Sequence, residues 1–259
     1  MDIHHPRELR DAFRDTNSAG ACQPGGSELS GVSAGGPPAV PPYLEKHYWW
    51  AYVRPWAVRF FERRWLVNLI LWGNYCRLRD AALNALGQAL PGKTLQIACA
   101  YGNLTEHLNR RVKIGGGHLE VVDVLPVQLE NLRRKLADES VRLLARDSSD
   151  LRLPAASYDR VVLYFLLHEQ PAAVREQTLA EAFRVVKPGG VVLIVDFARP
   201  ARWHPLRYLW LPVLCRLEPY AADLWHHEID SWLPATRSVR KLDKASLFGG
   251  LYQILRINT

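Results

Sequence analysis

Cysteine is scarce in this 259-residue chain: Cys22, Cys76, Cys99 and Cys215 are the only four, and none stands in C-x-x-C spacing. That scatter excludes a disulfide framework or a zinc site built on cysteine pairs, and it fits a reducing compartment. Long apolar runs are lacking too. No stretch offers the ~18 uninterrupted apolar residues that a membrane span needs. The first residues, MDIHHPRELRDAFRD, carry four acidic groups and no apolar signal core, so neither a secretory signal nor a transit peptide is expected. Charge is nearly absent from 16–42, where Glu28 stands alone among six Gly, five Pro and four Ser. Such a segment buries too little apolar surface to offset the entropy of ordering it, so 1–42 reads as a disordered tail. Tryptophan is missing from 73–202, although the chain has nine. The large amphipathic aromatics therefore flank the middle of the sequence and are expected to form a cap over it.

What is present is a core. Hydrophobic residues make up 48% and charged residues 23%, an ordinary balance for one large globular domain with an elaborated cap. Between 92 and 198 short apolar runs (TLQIAC, HLEVVDV, VRLLA, YDRVVLYF, GVVLIVDF) alternate with amphipathic stretches such as VQLENLRRKL and EQTLAEAFRVV. Strands alternating with helices of that length mean βαβ units, hence a mostly parallel sheet with helices on both faces. From 237, with Gly249-Gly250 before LYQILRI, a closing antiparallel pair is expected. The organisation read from this is a domain over 43–259: a helical cap at 43–90, a core at 91–198, a cap insertion at 199–236 and closing strands at 237–259.

In an open parallel sheet, ligands bind at the carboxyl ends of the strands near the switch point. The residues so placed are Gln96, Ala98, Cys99, Ala100, Tyr101 and Gly102 in the first turn, then Asp123 and Val124 after the second strand. Asp147, Ser148 and Ser149 follow the third strand, and Tyr164 closes the fourth. Asp123 stands where a carboxylate hydrogen-bonds a ribose, and Asp147 where one accepts from an adenine amine. His168 and Glu169 follow the fourth strand directly and are candidate acid–base groups. His227 and Glu228, in HHE of the second cap, are further candidates, and His204 in HPLRY a weaker one.

The order of these pieces, with VVDVLPVQLENLRRKL after the second strand and RVVKPGG before VVLIVDF, resembles the class I S-adenosylmethionine methyltransferases over roughly 90–198. That resemblance implies a Rossmann-like, mostly parallel seven-stranded sheet and S-adenosylmethionine as cofactor. The family's first motif reads D-x-G-x-G-x-G, whereas this chain has Gln96, Ala98, Ala100 and Gly102. The added Cβ atoms narrow the backbone's approach to the ligand, and Gln96 removes a carboxylate that would help hold the methionine ammonium.

A narrower resemblance covers most of 43–253, through HYWWAYVRPWAVRFFERRWLVNLILWGNY, ACAYGNLT, LLHEQP, HPLRY, LEPYAADLWHHEI and FGGLYQ. These are similar to the methyltransferase-like enzyme of rhodoquinone biosynthesis. The resemblance implies conversion of ubiquinone to rhodoquinone: a ring methoxy group gives way to an amino group, with S-adenosylmethionine as nitrogen donor and a divalent metal, manganese, assisting. His168 and Glu169 are its candidate ligands, the carboxylate being a hard donor suited to that ion. Conventional O- or C-methyl transfer to a quinone or small aromatic, and a non-catalytic protein that keeps the fold, are the alternatives.

The net charge of +7 implies an acidic partner. In 44–80, Lys46, Arg54, Arg59, Arg63, Arg64, Arg77 and Arg79 interleave with Trp56, Phe60, Phe61, Trp65, Leu66, Ile70 and Leu71. That pattern reads as amphipathic helices lying in an anionic headgroup plane, with a second patch at 199–217. No nucleic-acid motif is present, so a nucleic-acid partner is not expected. The location implied is cytoplasmic, peripheral on the inner face of a bacterial inner membrane, or the matrix face of an organelle.

Overall fold

A computed structural model of the chain describes residues 38–48, 55–136, 140–210, 216–234 and 240–259. The first helix, α1 (Pro42–His47), starts inside the segment expected to be disordered, and Val40 already packs with Tyr43 against Leu44, Tyr48 and Leu125. The rest of that tail, residues 1–37, lies outside the described residues. Pro55 opens α2 (Pro55–Phe61) at the first helical position, where its missing N–H costs nothing. After α3 (Arg64–Ile70), α4 (Tyr75–Leu86) buries Tyr75, Leu78, Ala82 and Leu83, a single stripe at helical spacing.

The sheet then begins: β1 (Lys93–Ile97), α5 (Leu104–Ile114), β2 (His118–Asp123), α6 (Pro126–Leu136), β3 (Arg142–Ala145), β4 (Tyr158–Tyr164), α7 (Ala172–Val185), β5 (Val186–Phe197), β6 (Lys241–Leu247) and β7 (Tyr252–Asn258). The strand order is β3-β2-β1-β4-β5-β7-β6. β1 to β5 pair in parallel and β7 runs antiparallel between β5 and β6, as the closing pair leads one to expect. From β1 the chain steps outward to β2 and β3; from β4 it steps the opposite way to β5. Right-handed crossovers therefore place α5 and α6 on one face and α7 on the other. The fold is the Rossmann-like, mostly parallel seven-stranded sheet that the sequence implies. The KPGG turn expected before the fifth strand is absorbed into β5, with a register irregularity opposite Tyr158–Arg160.

The core is continuous. Leu95 and Ile97 of β1, Val161 and Val162 of β4 and Leu193 and Ile194 of β5 are buried, and α5 presents Leu104, Leu108 and Val112 to them. Parallel strands covered on both faces read as near-unbroken apolar runs. Reversal of strand order between β1 and β4 leaves a crevice at their carboxyl ends, and the cavity described next lies there.

Candidate active site

A cavity of about 360 Å³ opens at this switch point. Its wall takes residues from the end of every strand from β1 to β5: Ala98 to Tyr101, Asp123 to Leu125, Arg146 to Ser148, Tyr164 to Leu166, and Phe197. Tyr43 and Leu44 of α1 and Phe61 of α2 close one side, and Ile70, Leu71, Trp210 and Leu217 another. The caps thus sit over the carboxyl ends of the strands, as the aromatic distribution predicts.

Asp123 is the best-built binding group. Its Oδ2 accepts the Cys99 N–H at 2.7 Å and its Oδ1 the Leu125 N–H at 2.9 Å. Burial pushes its carboxyl up to about 6 against those two bonds. Each oxygen keeps a second lone pair, so two ribose hydroxyls could donate to it. Asp147 lines the cavity with Oδ1 held by the Ser149 N–H (2.8 Å) and hydroxyl (2.7 Å), which leaves Oδ2 to accept from an adenine amine. Ser148 also lines it, its hydroxyl fixed between Thr178 and the Gln170 amide. Cys99, Ala100 and Val124 contribute wall, and burial pushes the Cys99 thiol well above its ordinary range, so it is no nucleophile at neutral pH. Tyr101 shapes the pocket as expected, stacked on Phe61 with ring centroids 6.3 Å apart and its hydroxyl held by Gln128. Tyr164 lines the cavity, and among the described residues its buried hydroxyl has no hydrogen-bond partner.

Three residues of the expected binding set stand behind the wall instead of in it. Gln96 is fully buried, and its amide folds back to donate to the Ala98 carbonyl at 2.9 Å. Ser149 acts only through Asp147. Gly102 turns away at φ 85°, where a Cβ would strike the Tyr75 hydroxyl, and its N–H is taken at 3.0 Å by Glu62. Glu62 had no role in the sequence reading. It reaches from the end of α2 to accept also from Asn131 (2.8 Å) and from Lys135 (2.5 Å), and Lys135 donates in turn to the Gly102 carbonyl at 2.5 Å. The first cap is thereby tied to the cofactor turn.

Ala98 occupies φ 72°, a left-handed conformation that its Cβ disfavours. Ala98→Gly is expected to stabilise the fold by up to about 1 kcal/mol and to tighten the cofactor's seat, checked by thermal melting and calorimetric titration. Asp123→Asn leaves one of two backbone N–H groups facing an amide NH2. It is expected to weaken S-adenosylmethionine binding about tenfold or more, with little change in the pH dependence of turnover, read by the same titration and a kcat profile.

His168 sits in a 3-10 turn (Leu167–Glu169) after β4, buried against the cavity. Its Nδ1 lies 2.9 Å from Asp196 Oδ1, and its Nε2 3.8 Å from Glu169 Oε1. Asp196, at the end of β5, is fully buried and also accepts the N–H groups of Leu167 (2.8 Å), His168 (3.3 Å) and Phe197 (2.8 Å). Burial pulls the His168 pKa down, but the charges of Asp196, Glu169 and Glu218 outweigh it and raise the net value to about 9. Glu218, another wall residue without a role in the sequence reading, is pushed up by burial against the opposing pull of His168. The arrangement is a cationic imidazole oriented by a buried aspartate, with two carboxylates at the same cavity.

The pair expected to hold a metal, His168 and Glu169, comes together on the cavity wall. Among the described residues no group of three or more His, Cys, Asp or Glu side chains is placed to hold a metal ion. His227 and Glu228 are a correction. Both are solvent-exposed and outside the cavity; His227 lies against Trp232 and Glu228 pairs with Lys244. His204 is structural, its Nδ1 accepting the Leu206 N–H at 3.2 Å while its ring packs on Phe248.

Fold and site together are those of an enzyme that binds a nucleoside cofactor at the switch point. Residues 94–190 match a family profile described as a methyltransferase domain. The demethylmenaquinone methyltransferase of Parafrankia sp. is 30% identical over 180 residues, covering 62% of this chain and 68% of that protein. A ubiquinone/menaquinone biosynthesis C-methyltransferase of Vibrio vulnificus is 25% identical over 193 residues, 73% of each chain. Among solved structures, an O-methyltransferase family protein from Burkholderia thailandensis superposes with a TM-score of 0.53 at 18% identity, over 74% of this chain and 58% of that one. The N-methyltransferase NodS of Bradyrhizobium japonicum gives 0.51 at 15%, over 71% and 94%. The chain belongs to the class I S-adenosylmethionine-dependent methyltransferase family.

S-adenosylmethionine fits the residues present: two carboxylates stand where ribose and adenine need acceptors, beside a first turn narrowed by Ala98 and Ala100.

Proposed function

We propose that this enzyme acts on a quinone and exchanges a ring methoxy group of ubiquinone for an amino group, giving rhodoquinone. The observation that carries this reading is Gln96: a neutral amide, folded onto Ala98, stands where the family places an acid. A carboxylate there would hold the methionine nitrogen as an ammonium, which has no lone pair; a neutral amide does not favour that charged form. When bound, S-adenosylmethionine would supply the nitrogen: the ring carbon gains a bond to it and loses methoxide, and the amino group is freed when water cleaves its bond to the methionine α-carbon, which leaves as a 2-oxo acid while its electron pair reduces the quinone ring to the hydroquinone.

The chain's own groups then divide the proton work. His168, cationic at neutral pH, donates from Nε2 to the quinone oxygen that gains electron density, or to the departing methoxide, which leaves as methanol. Glu218, whose pKa burial raises, and Glu169 accept the protons that the nitrogen gives up. Asp196 keeps the imidazole oriented. The apolar wall from Phe61, Phe165 and Phe197 suits a flat, substituted ring. A divalent metal, implied by the narrower resemblance, would find at most two protein donors in His168 and Glu169, and none of these steps passes through it.

The test is expression in a cell that makes ubiquinone but no rhodoquinone, with the cofactor's amino nitrogen labelled as nitrogen-15. Mass analysis of the extracted quinones should show loss of a methoxy group and gain of the label. A quinone that never acquires the heavy nitrogen ends this reading. The second reading, C-methyl transfer to a quinone ring, is favoured by the names of the Parafrankia and Vibrio relatives. It predicts a ring that gains a methyl group and keeps its methoxy groups.

A further inference from the structure

We infer that the mouth of the cavity is a bilayer-docking surface, on which the enzyme rests with the opening turned toward anionic phospholipid. The two lips of the mouth are far apart in sequence. One is α3 and the turn after it; the other is the segment leading to Trp210, with Leu217 beyond. Ile70 and Leu217 line the cavity and are exposed at the same time, so they mark its opening. Trp72 and Trp210 join the lips edge to face, with ring centroids 5.1 Å apart.

Around that opening the surface is unusually apolar for one facing water. Trp65 and Leu69 on α3, and Trp203, Tyr208 and Leu209 on the other lip, all stand exposed. Large apolar side chains exposed on both lips mark a contact site. Two features select a lipid surface over a protein partner. First, the aromatics are tryptophans and a tyrosine interleaved with arginines, the composition that settles at the headgroup level. Second, Ile70 and Leu217 carry the apolar surface from the exterior into the cavity, a path that a substrate dissolved in lipid could follow.

Charge points the same way. Arg59, Arg63 and Arg64 are exposed on the first lip, with the Arg63 guanidinium over the Phe60 ring, and Arg199, Arg202 and Arg216 on the second. The one acid between Pro55 and Trp72 is Glu62, which is turned inward onto Lys135 and Gly102; none occurs in 199–210. The mouth is therefore cationic as well as apolar, which suits an anionic leaflet. Among the described residues no helix is long and apolar enough to cross a membrane, so the contact is one of lying on the surface. This inference stands on the geometry of the mouth and does not depend on which reaction the cavity performs.

The experiment is co-sedimentation of the full chain with vesicles of phosphatidylcholine alone and of phosphatidylcholine with phosphatidylglycerol, at low and high salt. Leu69→Asp and Leu209→Asp are compared with Ile114→Asp. Leu69 and Leu209 are 64% and 71% exposed at the mouth; Ile114 is 71% exposed at the far end of α5, away from it. Wild type should pellet with the anionic vesicles and be partly released by salt. Each mouth variant should lower the partition coefficient about tenfold or more, and the Ile114 variant should leave it unchanged. Wild type that stays in the supernatant overturns the inference, as does a control variant that loses binding equally. Sedimentation velocity without lipid covers the remaining occupant: dimers that the mouth variants dissociate would give the patch to a second copy of this chain and refute the bilayer.

Discussion

Asp196→Asn is expected to lower kcat by about 10²- to 10⁴-fold and to move the alkaline limb of the pH profile downward. Asp196 does two things at once. It receives four N–H groups, so an amide in its place presents a donor to at least one donor, at a cost of about 1–3 kcal/mol in stability. It also supplies the main charge that holds His168 cationic against burial. With that charge gone, burial pulls the imidazole down from about 9, opposed only by Glu169 and Glu218, and the proton donor is weakened at neutral pH. Wild type should therefore keep its activity up to about pH 9, whereas the variant should lose it at lower pH. Stability follows the same group. His168 titrates higher folded than unfolded, so its contribution is complete below about 6.5 and fades as the pH rises through about 9. A kcat profile for both proteins, with denaturation curves at two pH values, checks all of this; an alkaline limb that does not move would remove His168 from the chemistry.

Much of this site was legible in the sequence because topology alone fixes it. A carboxylate ending a parallel strand next to the switch point has few other places to be, and Asp123, Asp147 and His168 all lie on the cavity. The strands were legible for a related reason: covered on both faces, they read as unbroken apolar runs. What could not be read is the set of pairings. Glu62 meets Lys135 across 73 residues and His168 meets Asp196 across 28, and neither spacing leaves a trace in a single sequence. A signal for Asp196 did exist: one acid closing the aliphatic run VVLIVD must be partnered if the strand is central. Nothing comparable marked Glu218. His227 and Glu228 show the reverse error, since adjacent ligand-type residues say nothing about whether their segment faces the cavity or, as here, water and Lys244. The same gap explains why Gln96 was placed against the ligand. Its position at the end of β1 was right, but its amide satisfies the turn from below.

The second large effect concerns a residue that touches no ligand. Arg175 is fully buried in α7. Its Nε donates to the Leu167 carbonyl at 2.9 Å, and its Nη2 to those of Gln170 (2.9 Å) and Tyr220 (3.1 Å). Asp223 Oδ2 lies 3.6 Å from Nη1, and the guanidinium stacks over the Trp232 ring at 4.5 Å. Leu167 and Gln170 bracket His168 and Glu169, while Tyr220 and Asp223 belong to the segment that carries Glu218. One side chain thus pins both halves of the acid–base cluster. Arg175→Met removes a paired buried charge and leaves three carbonyls without donors, which should cost about 3–5 kcal/mol, measured by urea denaturation. Arg175→Lys keeps the charge but cannot serve three carbonyls from one ammonium, so it should recover only part of that loss. Structural damage alone would weaken every function together. If the pin positions the acid–base cluster, the folded fraction of the lysine variant will bind S-adenosylmethionine nearly as wild type does, because Asp123 and Asp147 are held by other bonds, yet turn over far more slowly. Equal losses in cofactor affinity and kcat would instead reduce Arg175 to a core strut.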